Sequence, residues 1–222
     1  MQVLIIDIGG TNVKCGLSYE TKIKIPSGLD LTPQNMIKAV KEATEALSYN
    51  AITIGFPGPV LHGSIALEPH NLGRGWVGFN FAKEFRQPVR IMNDAAMQAL
   101  GNYRGGRMLF LGFGTGLGSA LIVDGILQPM ELAHLPYKNG KTFEDYVGLR
   151  GLDRLGKNKW RSHVADVVEQ FKAALSPDYV VLGGGNAKLI KILPTGVETS
   201  DNSGAFLGGE RIWMKEFSRV NS

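Results

Sequence analysis

The chain has 222 residues, of which 44% are apolar, and it therefore has enough material for one large or two modest domains with real cores. No apolar run reaches the roughly 20 residues of a membrane span, and a single cysteine excludes both an internal disulfide and a structural zinc site. The net charge of +4 is compatible with an anionic partner without requiring one. Because an apolar strand begins directly after Met1, we expect no signal peptide, a cytoplasmic protein and no membrane partner.

The first predicted element is a β-hairpin between Val3 and Tyr19. Its turn is Gly9-Gly10-Thr11, and Asp7 lies just before that turn. Glycine amides and a threonine hydroxyl are hydrogen-bond donors that suit a phosphate group. An ordinary tight hairpin explains the same turn equally well when the turn is considered alone.

A helix and a third strand follow the hairpin. Thr32 supplies a capping side chain, Pro33 suits the first helical position, and apolar residues then recur at helical spacing as far as Leu47. The strand that starts at Ala51 ends in the rigid loop 56–59, Phe-Pro-Gly-Pro. That loop suits the wall of a binding cleft, and a plain turn is an equally good interpretation.

The segment from His62 to Arg86 is glycine-rich and irregular. It contains Asn71 and Trp76 ahead of a short predicted helix around residues 81–85. Loops of this kind often contribute to a binding cleft, although the spacing alone does not distinguish them from ordinary loops.

Asn93 and Asp94 lie between a predicted strand, Val89 to Met92, and a predicted helix, Ala95 to Leu100. Aspartate is a good helix N-cap, so one interpretation of Asp94 is structural. The other is chemical, because the carboxyl end of a parallel strand is where an α/β fold places a general base.

A second predicted hairpin, Leu109 to Gly125, has the turn Gly114-Thr115-Gly116. Glycines at 112, 114, 116 and 118 predict left-handed backbone that brings amides close to an anion. When the two hairpins are aligned, Asp7 falls on Gly112, Gly9 on Gly114 and Thr11 on Gly116. The chain therefore resembles a duplication with two turns at a shared phosphate site, and not a dinucleotide fingerprint, since strand rather than helix follows.

Three polar residues follow the second hairpin, Glu131, His134 and Glu144, and a solvated loop explains any one of them. Thr142 is a predicted cap for a helix through Tyr146, and residues 164–175 have the spacing of an amphipathic helix. The strand 179–182 then leads into three glycines at 183–185 and a predicted helix from residue 186, whose N-terminus suits a nucleotide or anion. A final helix is predicted at about 206–217.

Residues 138–161 contain seven Lys or Arg and three Asp or Glu, a surplus of four positive charges. A solvated basic surface explains this composition, because surface Lys and Arg need no ligand. The alternative is a binding track for a polyanion longer than ATP, whose affinity would fall as salt is added.

Several motifs together resemble the ROK sugar kinases in order and spacing, and most of all their polyphosphate/ATP glucokinases. The motifs are DIGGT at 7–11, FPGP at 56–59, ND at 93–94, GTGLGSAL at 114–121, ELAH at 131–134, FED at 143–145 and LGGG at 182–185. The resemblance covers nearly the whole chain. It implies an α/β protein with the actin-like ATPase fold, in which two ribonuclease-H-like domains close on a cleft.

The resemblance also implies roles for individual residues. Asp94 would be the catalytic base that takes the proton of the sugar 6-hydroxyl, and Asp7 would act near Mg²⁺, indirectly. The substrate-binding residues would be Asn93, Glu131, His134, Glu144, Gly58 and Asn71. The residues at the phosphates or the nucleotide would be Asp7, Gly9, Gly10, Thr11, Gly114, Thr115, Gly116, Gly184 and Gly185. The implied reaction is phosphorylation of a hexose, most simply glucose, by ATP or inorganic polyphosphate.

Two departures from the family pattern matter. Many ROK members have a cysteine-rich zinc loop after the position of His134, whereas residues 135–142 contain no cysteine, so we expect no structural zinc and a loop held by packing. Ala133 replaces a family glycine and leaves both neighbouring polar residues in place. The chain has no room for the DNA-binding domain of ROK repressors ahead of its first strand, so we expect no nucleic-acid partner.

The predicted domains are residues 1–107 with 206–222, and residues 108–205, in a homodimer. Two other functions compete with the kinase. A non-catalytic sugar-binding regulator would keep the fold and the pocket, although the intact Asp94 argues against it. An actin-like ATPase would keep the two hairpins and lack the set of Asn93, Glu131, His134 and Glu144.

Overall fold

The computed structural model describes residues 1–201, 203–214 and 217. The chain divides into two compact units, Met1–Met97 with Ala205–Ser222 and Gln98–Gly204. The first boundary lies inside a helix, ten residues before the position expected from the sequence. Residues 202, 215, 216 and 218–222, which the predicted domains include, lie outside the described residues.

The first unit contains a five-stranded sheet in the order β3-β2-β1-β4-β7. Strand β2 is antiparallel to both of its neighbours, β1 and β3. Strands β1, β4 and β7 run parallel to one another. The strands are β1 Val3–Ile8, β2 Asn12–Gly16, β3 Ile23–Pro26, β4 Ala51–Phe56, β5 Val60–Leu61, β6 Ser64–Ile65 and β7 Val89–Asn93. The helices are α1 Pro33–Ala43 and α2 Phe81–Phe85, and α3 Asp94–Asn102 begins in this unit.

The apolar strands at the centre of this sheet form because both of their faces are covered. All six residues of β1 and all six of β4 are buried. One face belongs to a core that also contains α1, the fully buried Trp76 and α2. Helix α1 begins as predicted, since the Thr32 side chain accepts a hydrogen bond from the Asn35 amide and Pro33 follows the cap.

The second unit contains a sheet in the order β10-β9-β8-β13-β14. Here β8, β9 and β10 are antiparallel neighbours, and β8, β13 and β14 run parallel. The strands are β8 Arg107–Phe113, β9 Leu117–Val123, β10 Ile126–Met130, β11 Pro136–Lys138, β12 Lys141–Thr142, β13 Tyr179–Gly183 and β14 Val197–Thr199. The helices of this unit are α4 Phe143–Val147 and α5 Leu149–Leu175. A further helix, α6 Gly204–Arg211, starts at the last residue of this unit and otherwise belongs to the first unit.

Helix α5 covers one face of the second sheet through a core that includes the buried Trp160 and Phe171. The predicted amphipathic segment is therefore real but is only the second half of a longer element. Gly156 interrupts α5 with φ 72° and ψ 161°, a backbone conformation that glycine adopts without steric cost. The helix consequently consists of two segments that meet at Gly156.

The two sheets share one topology. In each, an antiparallel meander supplies three strands, and two parallel strands extend the sheet on the other side of the first strand. This agreement supports the duplication that the two hairpins predict. No helix in the described part of the chain is both long and apolar enough to cross a membrane.

Three predicted helices differ from the structure. Helix α1 ends at Ala43 instead of continuing to Leu47, because the chain turns at Thr44. The helix predicted from residue 186 is a single 3₁₀ turn, Ala187–Leu189. The prediction of an α-helix there, with an N-terminus that faces an anion, is therefore wrong. The last helix ends at Arg211, and part of its predicted range, residues 215 and 216, lies outside the described residues.

Candidate functional site

The first hairpin joins β1 to β2 and places a pair of opposite charges beside its turn. Ile8 and Val13 form the last ladder pair, and Asp7 stands directly opposite Lys14. Asp7 is only 7% exposed, and its Oδ2 lies 3.0 Å from the Lys14 Nζ. Sequence reasoning missed Lys14, although the hairpin register would have placed it on the same face as Asp7.

The turn of the first hairpin approaches the side chain of Asn71. A Cβ atom on Gly10 would lie 2.5 Å from the Asn71 Nδ2, so any larger residue would displace that amide. The structure thus brings Asn71 to the first turn rather than leaving it in a separate loop. Gly9 closes the turn by donating its amide to the Asn12 carbonyl at 3.0 Å.

Asn93 and Asp94 lie where β7 ends and α3 begins. The Asn93 Oδ1 accepts the Ala96 amide at 3.1 Å, and its Nδ2 donates to the Gly58 carbonyl at 3.2 Å. The capping contact at i+3 therefore belongs to Asn93, whereas Asp94 accepts the amide of the adjacent Ala95 at 2.8 Å. Both side chains thus accept amides at the start of α3.

Asp7 and the start of α3 lie on the same face of the first sheet. Asp7 pairs with Gly55 across β1 and β4. A Cβ atom on Gly55 would point at α3, at 2.2 Å from the Met97 Cε and 3.7 Å from the Asp94 Cα. Because paired residues of neighbouring strands share a face, the two carboxylates Asp7 and Asp94 are on one side of this unit.

The second hairpin joins β8 to β9 and is hydrogen-bonded to Asn186, which follows the glycines at the end of β13. Phe113 and Leu117 form its last ladder pair. The Asn186 amide donates to the Phe113 carbonyl at 2.9 Å, and its side-chain amide donates to the Gly114 carbonyl at 3.1 Å. The structure thus brings Gly184 and Gly185 beside the second turn.

Glu144 also contacts the second hairpin. Its Oε2 accepts the Leu117 amide at 3.2 Å and would lie 2.3 Å from a Cβ atom on Gly116. Its Oε1 lies 3.3 Å from Arg150, and the Leu149 amide donates to the Thr115 carbonyl at 3.0 Å. A residue expected at the sugar therefore touches the turn expected at the phosphates.

Two turn glycines, Gly10 and Gly116, allow a close approach of another side chain, and the turn glycines do not have left-handed backbone. None of Gly9, Gly10, Gly112, Gly114, Gly116 and Gly118 has a positive φ, so that part of the prediction is wrong. Gly184 is the one predicted site glycine with positive φ, 82°, and a Cβ atom there would lie 2.5 Å from the Phe113 carbonyl oxygen. Backbone packing therefore requires glycine at this position.

Glu131 and His134 flank a short 3₁₀ turn, Leu132–His134, with 3.8 Å between the Glu131 Oε2 and the His134 Nε2. Loss of hydration raises the pKa of the Glu131 carboxyl, the Glu144 carboxylate raises it further, and His134 lowers it. Glu131, His134 and Glu144 thus form one cluster in the second unit, as the prediction of a common sugar site requires.

The loop at residues 135–142, which contains no cysteine, forms a small hairpin, β11–β12, that contacts α5. The Tyr137 ring stacks on Phe143 with ring centroids 4.9 Å apart, and its hydroxyl lies 3.0 Å from the His163 Nδ1. Lys138 donates to Asp166 at 2.7 Å, and hydrogen bonds from Lys138 and Tyr137 lower the pKa of Asp166 to about 2. Aromatic packing and this polar cluster hold the loop that carries His134.

The Lys and Arg residues of the basic segment 138–161 differ in whether they contact other protein groups. Lys138, Arg150, Arg154 and Arg161 each contact a carboxylate or a carbonyl. Lys157 and Lys159 are exposed just after the Gly156 interruption, and no ion pair with another described residue involves them. Only part of the surplus charge is thus available to a polyanion without breaking an existing contact.

Among the described residues, no group of three or more His, Cys, Asp and Glu side chains is arranged to hold a metal ion. Mg²⁺ often binds through one or two carboxylates, several waters and the phosphates of a substrate. A single carboxylate beside a glycine turn, as at Asp7, fits that mode of binding.

A cavity of about 430 Å³ lies in the second unit between α5 and residues 190–194. Its lining is mostly apolar, and none of the predicted site residues belongs to it. In each unit the candidate site residues are therefore identified from the contacts around that unit's own hairpin.

Comparison with known proteins identifies relatives of this chain. The sequence pattern described as ROK family matches residues 3–129. Polyphosphate glucokinases from Mycobacterium leprae and Mycobacterium tuberculosis are each 30% identical over 203 residues and match 81% of this chain. The chain spans 62% of the M. leprae protein, less than two thirds of its length, and 76% of the M. tuberculosis protein.

A solved structure gives the same result for the fold. The inorganic polyphosphate/ATP-glucomannokinase from Arthrobacter sp. strain KM superimposes with a TM-score of 0.79 and 25% identity. The match covers 93% of this chain and 96% of that one. It confirms the predicted α/β fold, the actin-like ATPase fold of the ROK sugar kinases.

Proposed function

The chain belongs to the ROK family, and on that premise we propose that it is a hexose kinase that phosphorylates the 6-hydroxyl of glucose with polyphosphate or ATP. One observation carries the proposal. Asp94 stands at the carboxyl end of β7 on the same face as the first phosphate turn, while Asn93 supplies the helix cap.

Asp94 acts as the general base in this proposal. Its carboxylate takes the proton of the 6-hydroxyl as the sugar oxygen bonds to the terminal phosphorus of the donor. The bond from that phosphorus to the bridging oxygen breaks, and the shortened donor leaves with the electron pair. A base of this kind contributes roughly 10²- to 10⁴-fold to the rate.

The two hairpins would hold the phosphates of the donor. Phosphoryl transfer depends on positioning and charge neutralisation, which backbone amides and threonine hydroxyls supply at Gly10-Thr11 and Gly114-Thr115. Asp7 would act near Mg²⁺, indirectly, and that ion when bound neutralises charge on phosphate oxygens. Gly184 and Gly185 would lie near the nucleotide when the donor is ATP.

Each unit has its own candidates for binding the sugar, and those of the second unit form a cluster. Glu131, His134 and Glu144 supply two carboxylates and an imidazole in one cluster, a set suited to several hydroxyl groups. Asn71 and Gly58 contribute from the first unit. Asn93 has already used one acceptor and one donor position of its amide, and the remaining ones are available to a hydroxyl.

The proposal also specifies the phosphoryl donor that the enzyme prefers. Polyphosphate is favoured by the relatives named above and by the exposed Lys157 and Lys159 next to Arg161. Binding of a polyanion along this stretch should weaken steeply as salt is added, whereas ATP at the glycine turns should be less affected.

The test is a glucose phosphorylation assay with polyphosphate and with ATP, both with Mg²⁺, from low to high salt. The parent is compared with a variant carrying Lys157→Ala, Lys159→Ala and Arg161→Ala. We expect phosphorylation with both donors, and a loss confined to polyphosphate at low salt in the triple variant. Glucose binding without phosphorylation by either donor would contradict the kinase and favour a sugar-binding regulator. Equal use of both donors by the triple variant would contradict the polyanion track.

A further inference from the structure

The loop 66–80, which joins β6 to α2, is closed on itself by the carboxylate of Glu68. The Glu68 Oε2 accepts the amides of Gly75 at 3.0 Å and Trp76 at 3.2 Å. Its Oε1 accepts the Val77 amide at 3.1 Å. Gly75 has φ 97°, which favours glycine, and successive amides that converge on one anion form a nest. One side chain therefore ties the middle of the loop to its beginning.

The charge of Glu68 strengthens this closure. Partial loss of hydration raises the pKa of its carboxyl, but the three amides and the positive charge of Arg74 lower it by more, so the pKa lies below its ordinary value. Hydrogen bonds to a charged acceptor are stronger than those to a neutral one. A neutral side chain at this position would therefore hold the loop more weakly.

Asn71 lies within the segment that Glu68 closes. The Asn71 Nδ2 stands against the first hairpin, 2.5 Å from where a Cβ atom on Gly10 would lie. Two residues further on, the Gly73 amide donates to the Leu31 carbonyl at 3.1 Å, a second contact that fixes this backbone. Because a side chain can reach only as far as its backbone allows, closure of the loop decides where the Asn71 amide lies.

The loop is also joined to the segment 56–59. Trp76, whose amide Glu68 binds, is fully buried, and its ring centroid lies 5.3 Å from that of Phe56. A Cβ atom on Gly58 would lie 3.0 Å from the Phe56 ring, so Gly58 packs against it. The contacts that begin at Glu68 thus reach a second candidate for binding the sugar.

We propose that Glu68 is a positioning residue for the sugar, because its carboxylate holds the loop 66–80 so that Asn71 and Gly58 present their polar groups to the hydroxyls. The inference rests on the proposed function for the identity of the ligand as a hexose. Glu68 itself does not touch the sugar, so its loss should change the affinity for glucose and leave the chemical step nearly unchanged.

Three variants test this role. Glu68→Gln keeps the size of the side chain but has one acceptor oxygen in place of two, so it loses at least one of the three hydrogen bonds. Glu68→Asp keeps both oxygens and the charge on a shorter side chain. Glu42→Gln is the matched control, because it removes the same charge from an exposed side chain on α1 of the same unit. Thermal unfolding of each variant establishes that it folds.

The measurements are amide hydrogen exchange, calorimetric binding of glucose without donor or Mg²⁺, and steady-state kinetics. For Glu68→Gln we expect faster exchange at residues 75–77 and a rise of about 10-fold in the glucose Kd and KM. The donor KM and kcat should stay nearly unchanged. Glu68→Asp should recover part of the loss, and Glu42→Gln should behave as the parent.

The outcomes separate this inference from the proposed function. A parent that binds glucose without phosphorylating it contradicts the kinase, and weaker glucose binding by Glu68→Gln still supports the role of Glu68. An unchanged glucose Kd in a folded Glu68→Gln variant with faster exchange at 75–77 would overturn that role and leave Glu68 as a stabiliser of the loop. Equal rises in the glucose KM and the donor KM, or an equal effect of Glu42→Gln, would also overturn it.

Discussion

Both hairpins are antiparallel pairs of strands, but the charged side chains beside them come from different parts of the chain. In the first, Asp7 and Lys14 face each other within the strands. The corresponding ladder pair of the second hairpin is Gly112 and Gly118, which carry no side chain. There a carboxylate and a cation come from outside, from Glu144 and Arg150.

The two hairpins therefore differ in which part of the chain holds their charged side chains in place. The first hairpin has its own buried ion pair, so its charges are fixed by the strand register. The second leaves space that Glu144 fills, and the Arg150 side chain above it is 72% exposed. An exposed pair contributes little to stability, about 0 to 1 kcal/mol, so the second hairpin depends on the α4 segment for position more than for charge.

The largest expected effect is that of Asp94→Asn in the first unit. The amide keeps the size of the side chain, and the cap supplied by Asn93 is unaffected, but the amide cannot accept the proton. We expect kcat to fall at least about 100-fold with the fold and glucose binding retained. Stopped-flow or coupled kinetics measure kcat, and circular dichroism checks the fold.

Turnover close to that of the parent in a folded Asp94→Asn variant would remove Asp94 from the chemistry. A loss of stability without a loss of kcat would mean that the side chain serves the start of α3 instead.

The next largest effects should come from Glu131→Gln and His134→Ala in the second unit. Each leaves a sugar hydroxyl without its partner at a cost of about 1 to 3 kcal/mol, which corresponds to roughly 10- to 100-fold in glucose affinity. Titration of each variant with glucose and, separately, with the donor measures the two affinities independently. An equal loss for both ligands would place this cluster with the second hairpin instead of the sugar.

A smaller effect should distinguish two glycines of the second turn. Gly116→Ala places a methyl group against the Glu144 Oε2, whereas a Cβ atom on Gly114 meets nothing within 4 Å. The Glu144 side chain can rotate away, but it then gives up the Leu117 amide, at a cost of about 1 kcal/mol. Urea unfolding should show Gly116→Ala less stable than Gly114→Ala by that amount, and identical stabilities would contradict the contact.

The architecture was predictable because its signals are local. Uninterrupted apolar runs such as 3–8 and 51–56 identify buried strands, and the repeated glycine turn identifies the duplication. The Thr142 cap was predicted from its position alone, and the structure confirms it through the Asp145 amide. These features depend on residues close together in the chain.

The remainder of the site depends on contacts between distant residues. Asn71 lies against Gly10, and Glu144 lies against Gly116, which the sequence analysis had assigned to left-handed backbone. Asn186 bonds to the second hairpin and does not cap a long helix, so the helix predicted there failed. Lys14 required the hairpin register, which side-chain types alone do not specify.

The most direct test of the central claim, that the chain phosphorylates the sugar and does not merely hydrolyse the donor, is ³¹P NMR of the parent with glucose, Mg²⁺ and either donor. We predict the resonance of glucose 6-phosphate, growing in step with the loss of the donor's terminal phosphate. Release of inorganic phosphate alone, at a rate independent of glucose, would contradict the claim and identify an ATPase of the same fold.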